Sequence, residues 1–186
     1  MKIGRLLLRL VIGALFVGHG AQKLFGWFGG PGLDGTTGMM ENLDLEPARK
    51  NAVLGSATEA AGGLMLATGA LTPVAAAGLI GAMITAIRKV HFRNGLWNSG
   101  GGYEFNLVLI AALVYLAEAG PGCPSVDSAI GCRCADRARW RGLAALAVGA
   151  IGSTVIIERG HRLAGEIEAT APPEPAAPAP SGDGEQ

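Results

Sequence analysis

Between Lys50 and Arg88 the chain runs for thirty-seven residues with a single charged side chain, Glu59. Soluble domains carry roughly a quarter of their residues as charges, so a stretch this bare is buried on every side or lies in lipid. A helical crossing takes about 17 to 25 apolar residues, and the gap is long enough for two, with Thr72-Pro73 between them as a sharp turn. The rest of the chain agrees. Of 186 residues, 49% are hydrophobic and 16% charged, and the mean hydropathy is +0.36. Thirty glycines against 5% aromatics suit helices that approach closely through small residues. Fifteen Lys and Arg cancel fifteen Asp and Glu, which excludes the basic footprint of a nucleic-acid partner. The expected partner is the lipid bilayer, and the expected class is a polytopic membrane protein.

Five apolar stretches are long enough to consider as spans: residues 6–24, 52–71, 74–90, 105–119 and 142–157. The expected fold is an all-α transmembrane helical bundle of four core membrane helices plus a fifth C-terminal one. Tyr103 and Trp140 flank the two shorter spans as interface anchors. Met-Lys-Ile-Gly-Arg followed by an apolar run looks like a signal peptide, but His19, Gln22 and Lys23 follow at once without a cleavage-type site, so the segment is expected to stay as a span. The division expected is a four-helix domain over 1–131, a fifth helix with its flanks over 132–168, and a Pro/Ala-rich tail over 169–186, whose composition cannot bury a core and predicts disorder. Five crossings leave seven basic residues on the N-terminal side and eight on the other. Lys2, Arg5 and Arg9 at the N-terminal end of the first span, and Arg133, Arg137, Arg139 and Arg141 before the fifth, favour a cytoplasmic N-terminus.

Alternating crossings bring the end of span one, the start of span two, the end of span three and the start of span four to one membrane face. The intramembrane polar residues gather there. His19, Gln22 and Lys23 share one helical face; Glu59 lies about two turns into span two; Arg88, Lys89 and His91 end span three; Glu104 and Asn106 open span four. A carboxylate in such a hairpin is costly unless neutralised, most simply by Lys23 or Arg88. The loops above this polar cup mix glycine with Trp27, Phe28 and Trp97, and Trp97-Asn98 belongs to the second. Cations exceed nearby acids, so an anion or a polar quinone ring fits better than a metal cation. His19, Lys23 and Glu59 are the candidate catalytic groups. Gln22, Arg88, Lys89, His91, Trp97, Asn98, Glu104 and Asn106 are the candidate ligand-binding groups.

Two motifs mislead. Gly30-Pro-Gly32-Leu-Asp-Gly35 matches a dinucleotide fingerprint but follows a membrane helix, with no βαβ pattern around it. Cys123, Cys132 and Cys134 lie in the loop opposite the cup, and three thiols are an incomplete zinc set. They are candidates for a metal or redox role only; no metal site is assigned. His19, His91 and His161 are too scattered to hold a haem.

His19-Gly-Ala-Gln-Lys-Leu-Phe-Gly-Trp-Phe-Gly-Gly-Pro-Gly-Leu-Asp-Gly-Thr, His91-Phe-x-x-Gly-Leu-Trp-Asn, Gly101-Gly-Tyr-Glu-Phe-Asn and Gly120-Pro-Gly-x-x-Ser-Val-Asp occur in this order. Together, over about residues 5–131, these blocks resemble the DoxX family. The resemblance implies a bacterial inner-membrane four-helix bundle related to the membrane subunit of a thiosulfate:quinone oxidoreductase. The expected function is therefore a component of a quinone-linked redox system handling thiosulfate or another sulfur species, an oxidoreductase subunit. Lys23, Arg88 and Lys89 would attract the anion or polarise a quinone carbonyl, and His19 and Glu59 would move protons. No intrinsic cofactor is expected; a membrane quinone is the co-substrate. Soluble redox enzymes or a second subunit are the expected partners. The alternative is a small transporter or a non-catalytic scaffold that recruits redox enzymes. The fifth span, the cysteines and the tail depart from the four-helix pattern.

Overall fold

The computed structural model describes residues 3–130 and 138–170. Cys132, Cys134 and residues 171–186 of the expected tail fall outside these residues, while Ala169 and Thr170, expected in that tail, end a helix. Five long helices make the bundle: α1 (Ile3–Phe25), α3 (Ala48–Thr68), α4 (Thr72–Ala86), α5 (Glu104–Ala119) and α7 (Arg139–Thr170). A shorter α2 (Gly32–Asn42) and a single turn, α6 (Val126–Ala129), lie in the connections. The all-α reading holds. By length and composition, the helical runs Ile3–Phe25, Thr72–Asn94 and Arg139–Thr170 can each cross a membrane. Helices α3 and α5 fall short of that measure. The first carries Glu59 with many small polar residues, and the second has only 16 residues. Both pack within the bundle: α3 touches α1 and α4, while α5 touches α4 and α7.

Small residues set the helix spacing. The most extensive contact joins α1 to α3. A Cβ on Gly13 would stand 2.6 Å from the Gly63 carbonyl oxygen, and one on Gly20 2.6 Å from the Ala60 amide nitrogen. The two backbones therefore touch without intervening side chains, gaining dispersion contacts that lipid tails cannot supply. Helix α7 uses the same device. Its buried residues Gly142, Ala145, Gly149, Ser153, Ile157 and Gly160 form one stripe at spacings of three and four. Gly149 lies against Ala77, Ile80 and Gly81 of α4, and Gly142 against α5. The expected fifth span is thus part of the same bundle, and it runs thirteen residues past the expected end at residue 157. At about 1.5 Å per residue its length exceeds a hydrocarbon core of about 30 Å, and its last turns are charged.

The α3–α4 turn closes through Gly69 (φ 72°), whose amide bonds the Leu66 carbonyl, and Pro73 opens α4. On the face that holds the N-terminus, the buried Arg9 donates to the carbonyls of Ala67, Pro121 and Pro124, while Arg5 donates to the Ala119 carbonyl at 2.6 Å. Asp127 accepts from the Leu71 amide at 3.1 and 3.2 Å. These bonds tie the loop after α5 to the α3–α4 turn and to α1.

Candidate functional site

Lys23 lies at the end of α1, but helical side chains tilt toward the helix N-terminus. Its long stem therefore reaches back into the bundle, where Nζ lies 2.6 and 2.8 Å from the two carboxylate oxygens of Glu59. Of the two cations the sequence offered as partners for Glu59, the fold selects Lys23. The Glu59 side chain is 7% exposed and that of Lys23 28%. Burial of this order makes the pair more than a surface contact, because a lone carboxylate there would be expensive.

The pair sits in the wall of a groove of about 330 Å³, within the range of small-molecule sites. The groove lies between α3 and α7, and its floor is the small-residue face of α4: Ala77, Gly78, Gly81, Ala82 and Thr85. Met39 and Met40 of α2, with Leu43 and Leu45, roof one end. Gly160 of α7 packs against the backbone of Asp44 to Glu46, so the α2–α3 connection reaches α7 over that end. The surface is largely apolar, and the charged groups that line it are Lys23, Glu59 and Lys89. Gly55 and Gly152 line it from opposite walls, and a Cβ on either meets no atom within 4 Å.

The end of α4 is distinctive. Ile87–His91 form one turn of π-helix, a geometry that often marks functional positions. From this turn Arg88 donates to Thr154 Oγ1 at 3.0 Å and Lys89 Nζ lies 2.7 Å from His161 Nε2, both on α7. Thr85 donates to Ser153 Oγ at 2.9 Å one turn earlier. The α4–α7 seam is therefore polar at the level of the groove's mouth.

The candidates separate into three groups. Lys23, Glu59 and Lys89 line the groove, and Arg88 does not. His19 and Gln22 bond each other at 3.1 Å on an exposed face, Gln22 also reaches the Phe28 carbonyl, and neither lines the groove. The others organise the loop before α5. His91 Nδ1 donates to the Gly101 carbonyl at 2.8 Å, the Asn98 amide donates to Glu104, and Trp97 stays 70% exposed. Asn106 is buried against Met83, 3.4 Å from its sulfur. Among the described residues no three His, Cys, Asp or Glu side chains converge as metal ligands. Cys123 is disulfide-bonded, a state typical of oxidising compartments.

Sequence reasoning overlooked α2 and the α7 wall. The 32–42 segment reads as a glycine-rich loop, yet Leu33, Thr36, Thr37 and Met40 recur at helical spacing and turn inward, with Thr36 fully buried and bonded to the Lys23 carbonyl at 3.1 Å. The small-residue stripe of α7 was the available signal for the other wall.

The DoxX family model matches residues 4–92, which covers α1 through the π-turn and so contains Lys23, Glu59, Arg88 and Lys89. Helices α5 and α7 lie beyond the matched segment. No curated protein and no solved structure matches the chain.

Proposed function

We propose, from the premise that residues 4–92 of this chain are a DoxX domain, that this membrane protein belongs to a quinone-linked redox system of the bacterial inner membrane and that the groove is where the quinone binds. One observation carries the reading: an apolar slot floored by small residues of α4 ends at a buried ammonium–carboxylate pair. A quinone has the complementary shape, an apolar chain behind a ring with two carbonyl acceptors. It supplies an acceptor for two electrons when bound. The Lys23 ammonium donates to a ring oxygen, as it already donates to Glu59, and so orients the ring. As the ring is reduced the Lys23 ammonium gives a proton to the ring oxygen, and the Glu59 carboxylate, 2.6 Å away, passes a replacement proton taken from solvent back to Nζ. The methionine roof and the α7 wall keep water from the slot. Electrons come from thiosulfate or another sulfur species, or from a partner redox enzyme.

The test is equilibrium binding of short-chain ubiquinone and menaquinone analogues to detergent-purified protein, followed by quinone reduction with thiosulfate as donor. Wild type is expected to bind, with weaker binding in Glu59→Gln and in Gly55→Leu, which fills the slot. Folded, monodisperse wild type that binds neither analogue would refute the reading and favour a scaffold that recruits redox enzymes.

For orientation, the Cys123 disulfide supports an N-terminus on the oxidising side of the membrane, opposite to the expectation from charge counting. Arg5 and Arg9, two of the three cations behind that expectation, are engaged by backbone carbonyls of the same loop. N-terminal reporter fusions active only in the cytoplasm or only outside it decide the matter, and cytoplasmic activity would restore the charge-based orientation.

A further inference from the structure

Reducing a quinone takes two electrons and two protons, one for each ring oxygen, and the Lys23–Glu59 pair serves one oxygen. Besides that pair, Lys89 is the ionisable group that lines the groove. Its partner is of a different kind. Among the described residues the ion pairs are Lys23–Glu59 and Arg49–Asp34, so Lys89 has no carboxylate within 4 Å, and its Nζ lies 2.7 Å from His161 Nε2 instead. A charged ammonium leaves Nε2 only the role of acceptor, which puts the proton of the neutral ring on Nδ1. His161 does not line the groove. It is exposed, in the charged stretch from Glu158 to Arg162 that follows the apolar part of α7, so Lys89 links the groove to a titratable ring outside it. The charged groups around that ring are Arg88 and Lys89 of the π-turn, Glu158, Arg159 and Arg162 on α7 itself, and Asp44 and Glu46 of the α2–α3 connection, whose backbone packs on Gly160. None of the three acids pairs with His161, and Glu46 accepts from the Ala48 amide. The seam does not depend on the contact, because Gly149 packs on α4 and the Thr85–Ser153 and Arg88–Thr154 bonds join the same two helices.

We propose that Lys89 and His161 form a proton-entry route into the groove, Lys89 protonating the second ring oxygen and His161 recharging Lys89 from solvent. The inference rests on the quinone reading. At about 330 Å³ the groove is at the small end of small-molecule sites, so a quinone that fills it touches both lining cations. With water kept from the slot, each proton needs a side chain to carry it. Two electrons reach the ring from the sulfur species or the partner enzyme. A Lys89 N–H bond breaks as an O–H bond forms at the oxygen that Lys23 does not serve, leaving a neutral amine. Without its charge Nζ holds Nε2 less strongly, and the exposed imidazole takes a proton from water at that nitrogen. The amine is the stronger base, so the proton crosses the 2.7 Å contact to Nζ. The ammonium and the neutral ring are restored, and one solvent proton has entered the groove. His161 acts only through Lys89, and imidazole suits the task because it exchanges protons near neutral pH.

The experiment uses the full chain in neutral detergent. NMR of protein with isotope-labelled histidine nitrogens reads the His161 tautomer without any ligand: Nδ1–H is expected in wild type, reverting to Nε2–H in Lys89→Met. Dithionite then reduces a short-chain ubiquinone analogue bound to excess protein, with ring absorbance and a pH indicator followed in stopped flow from about pH 6 to 8. Wild-type proton uptake should slow as pH rises, because the ring is protonated less often. His161→Gln keeps an acceptor for Lys89 but cannot carry a proton. It should retain Tm and quinone binding, take up protons about tenfold more slowly or worse, and lose the wild-type pH dependence. Lys89→Arg should be slowed as much with charge kept, since a guanidinium does not release its proton. Added imidazole should restore the rate of His161→Ala. Unchanged rate and pH profile in His161→Gln, with binding intact, overturn the relay and leave the quinone reading standing. Parallel losses of rate and Tm in His161→Gln, with no rescue of His161→Ala by imidazole, overturn it in favour of a structural contact. Wild type that binds no quinone overturns the quinone reading and the relay with it. An Nε2–H tautomer in wild type overturns the relay even where no variant folds.

Discussion

Removing one partner of the Lys23–Glu59 pair should cost stability unequally, and the structure fixes the order. Lys23→Met leaves a carboxylate that is 7% exposed and anchored in the middle of α3. Breaking a buried pair on the side that strands the less accessible charge costs about 3–5 kcal/mol. Glu59→Gln leaves an ammonium that is 28% exposed on a flexible stem. That ammonium can swing toward headgroups and still donate to the Gln carbonyl oxygen, so the loss should stay near 1–2 kcal/mol. The expected gap is about 2 kcal/mol, roughly a thirtyfold difference in the unfolding constant. Lys23→Met/Glu59→Gln should be more stable than the sum of the single losses predicts, by a coupling of about 2 kcal/mol. Equilibrium unfolding of the four proteins in mixed micelles, with SDS as denaturant and helicity as the signal, measures all three numbers. A Glu59→Gln loss equal to or larger than that of Lys23→Met would refute the reasoning, as would strict additivity in the double variant.

Gly13→Ala should destabilise the α1–α3 contact severely, because its Cβ would meet the Gly63 carbonyl at 2.6 Å. Gly18→Ala, on the same helix with no atom within 4 Å of its Cβ, should be neutral or gain up to about 1 kcal/mol in helix propensity; Tm in detergent separates the two. Gly149→Leu should detach α7 from α4, since even a Cβ would stand 2.8 Å from Ile80, whereas Gly152→Leu should leave α7 docked; limited proteolysis between α5 and α7 reads the difference. Arg9→Met should strip donors from the carbonyls of Ala67, Pro121 and Pro124 and cost about 3 kcal/mol or more, measured as faster hydrogen exchange at Leu71 and in residues 119–130.

How far this fold can be read from sequence depends on which physical constraint acts locally. The charge gap from Lys50 to Arg88 reveals two helices because lipid tolerates few charges over a length set by the bilayer, and α3 and α4 appear close to their expected ends. Helix α2 was hidden because glycine dominates its start, and a weakly hydrophobic short helix forms only once Thr36 has α1 to bond. The Lys23–Glu59 contact was half legible. The cost of a stranded carboxylate demands a cation, but only the backward tilt of the Lys23 stem and the bond of Arg88 to Thr154 on α7 decide which cation serves. Spacing placed His19, Gln22 and Lys23 on one face correctly, yet it cannot say which neighbour that face meets. His19 and Gln22 bond each other, and Lys23 alone reaches the groove.

The groove itself was out of reach of local reasoning, for a reason that bears on how the chain continues beyond the segment that the DoxX model matches. Its floor and one wall come from α3 and α4, inside the matched residues 4–92. The other wall comes from Val148, Gly149, Gly152, Ser153 and Ile156 of α7, about seventy residues later in the chain. A ligand in this slot would therefore touch the matched segment on one side and the C-terminal helix on the other. Substitutions in α7 should change which molecule binds while leaving the Lys23–Glu59 pair intact, because both members of that pair belong to α1 and α3. The α7 wall of the proposed site and the buried ion pair come from separate parts of the chain, so each can be altered without dismantling the other.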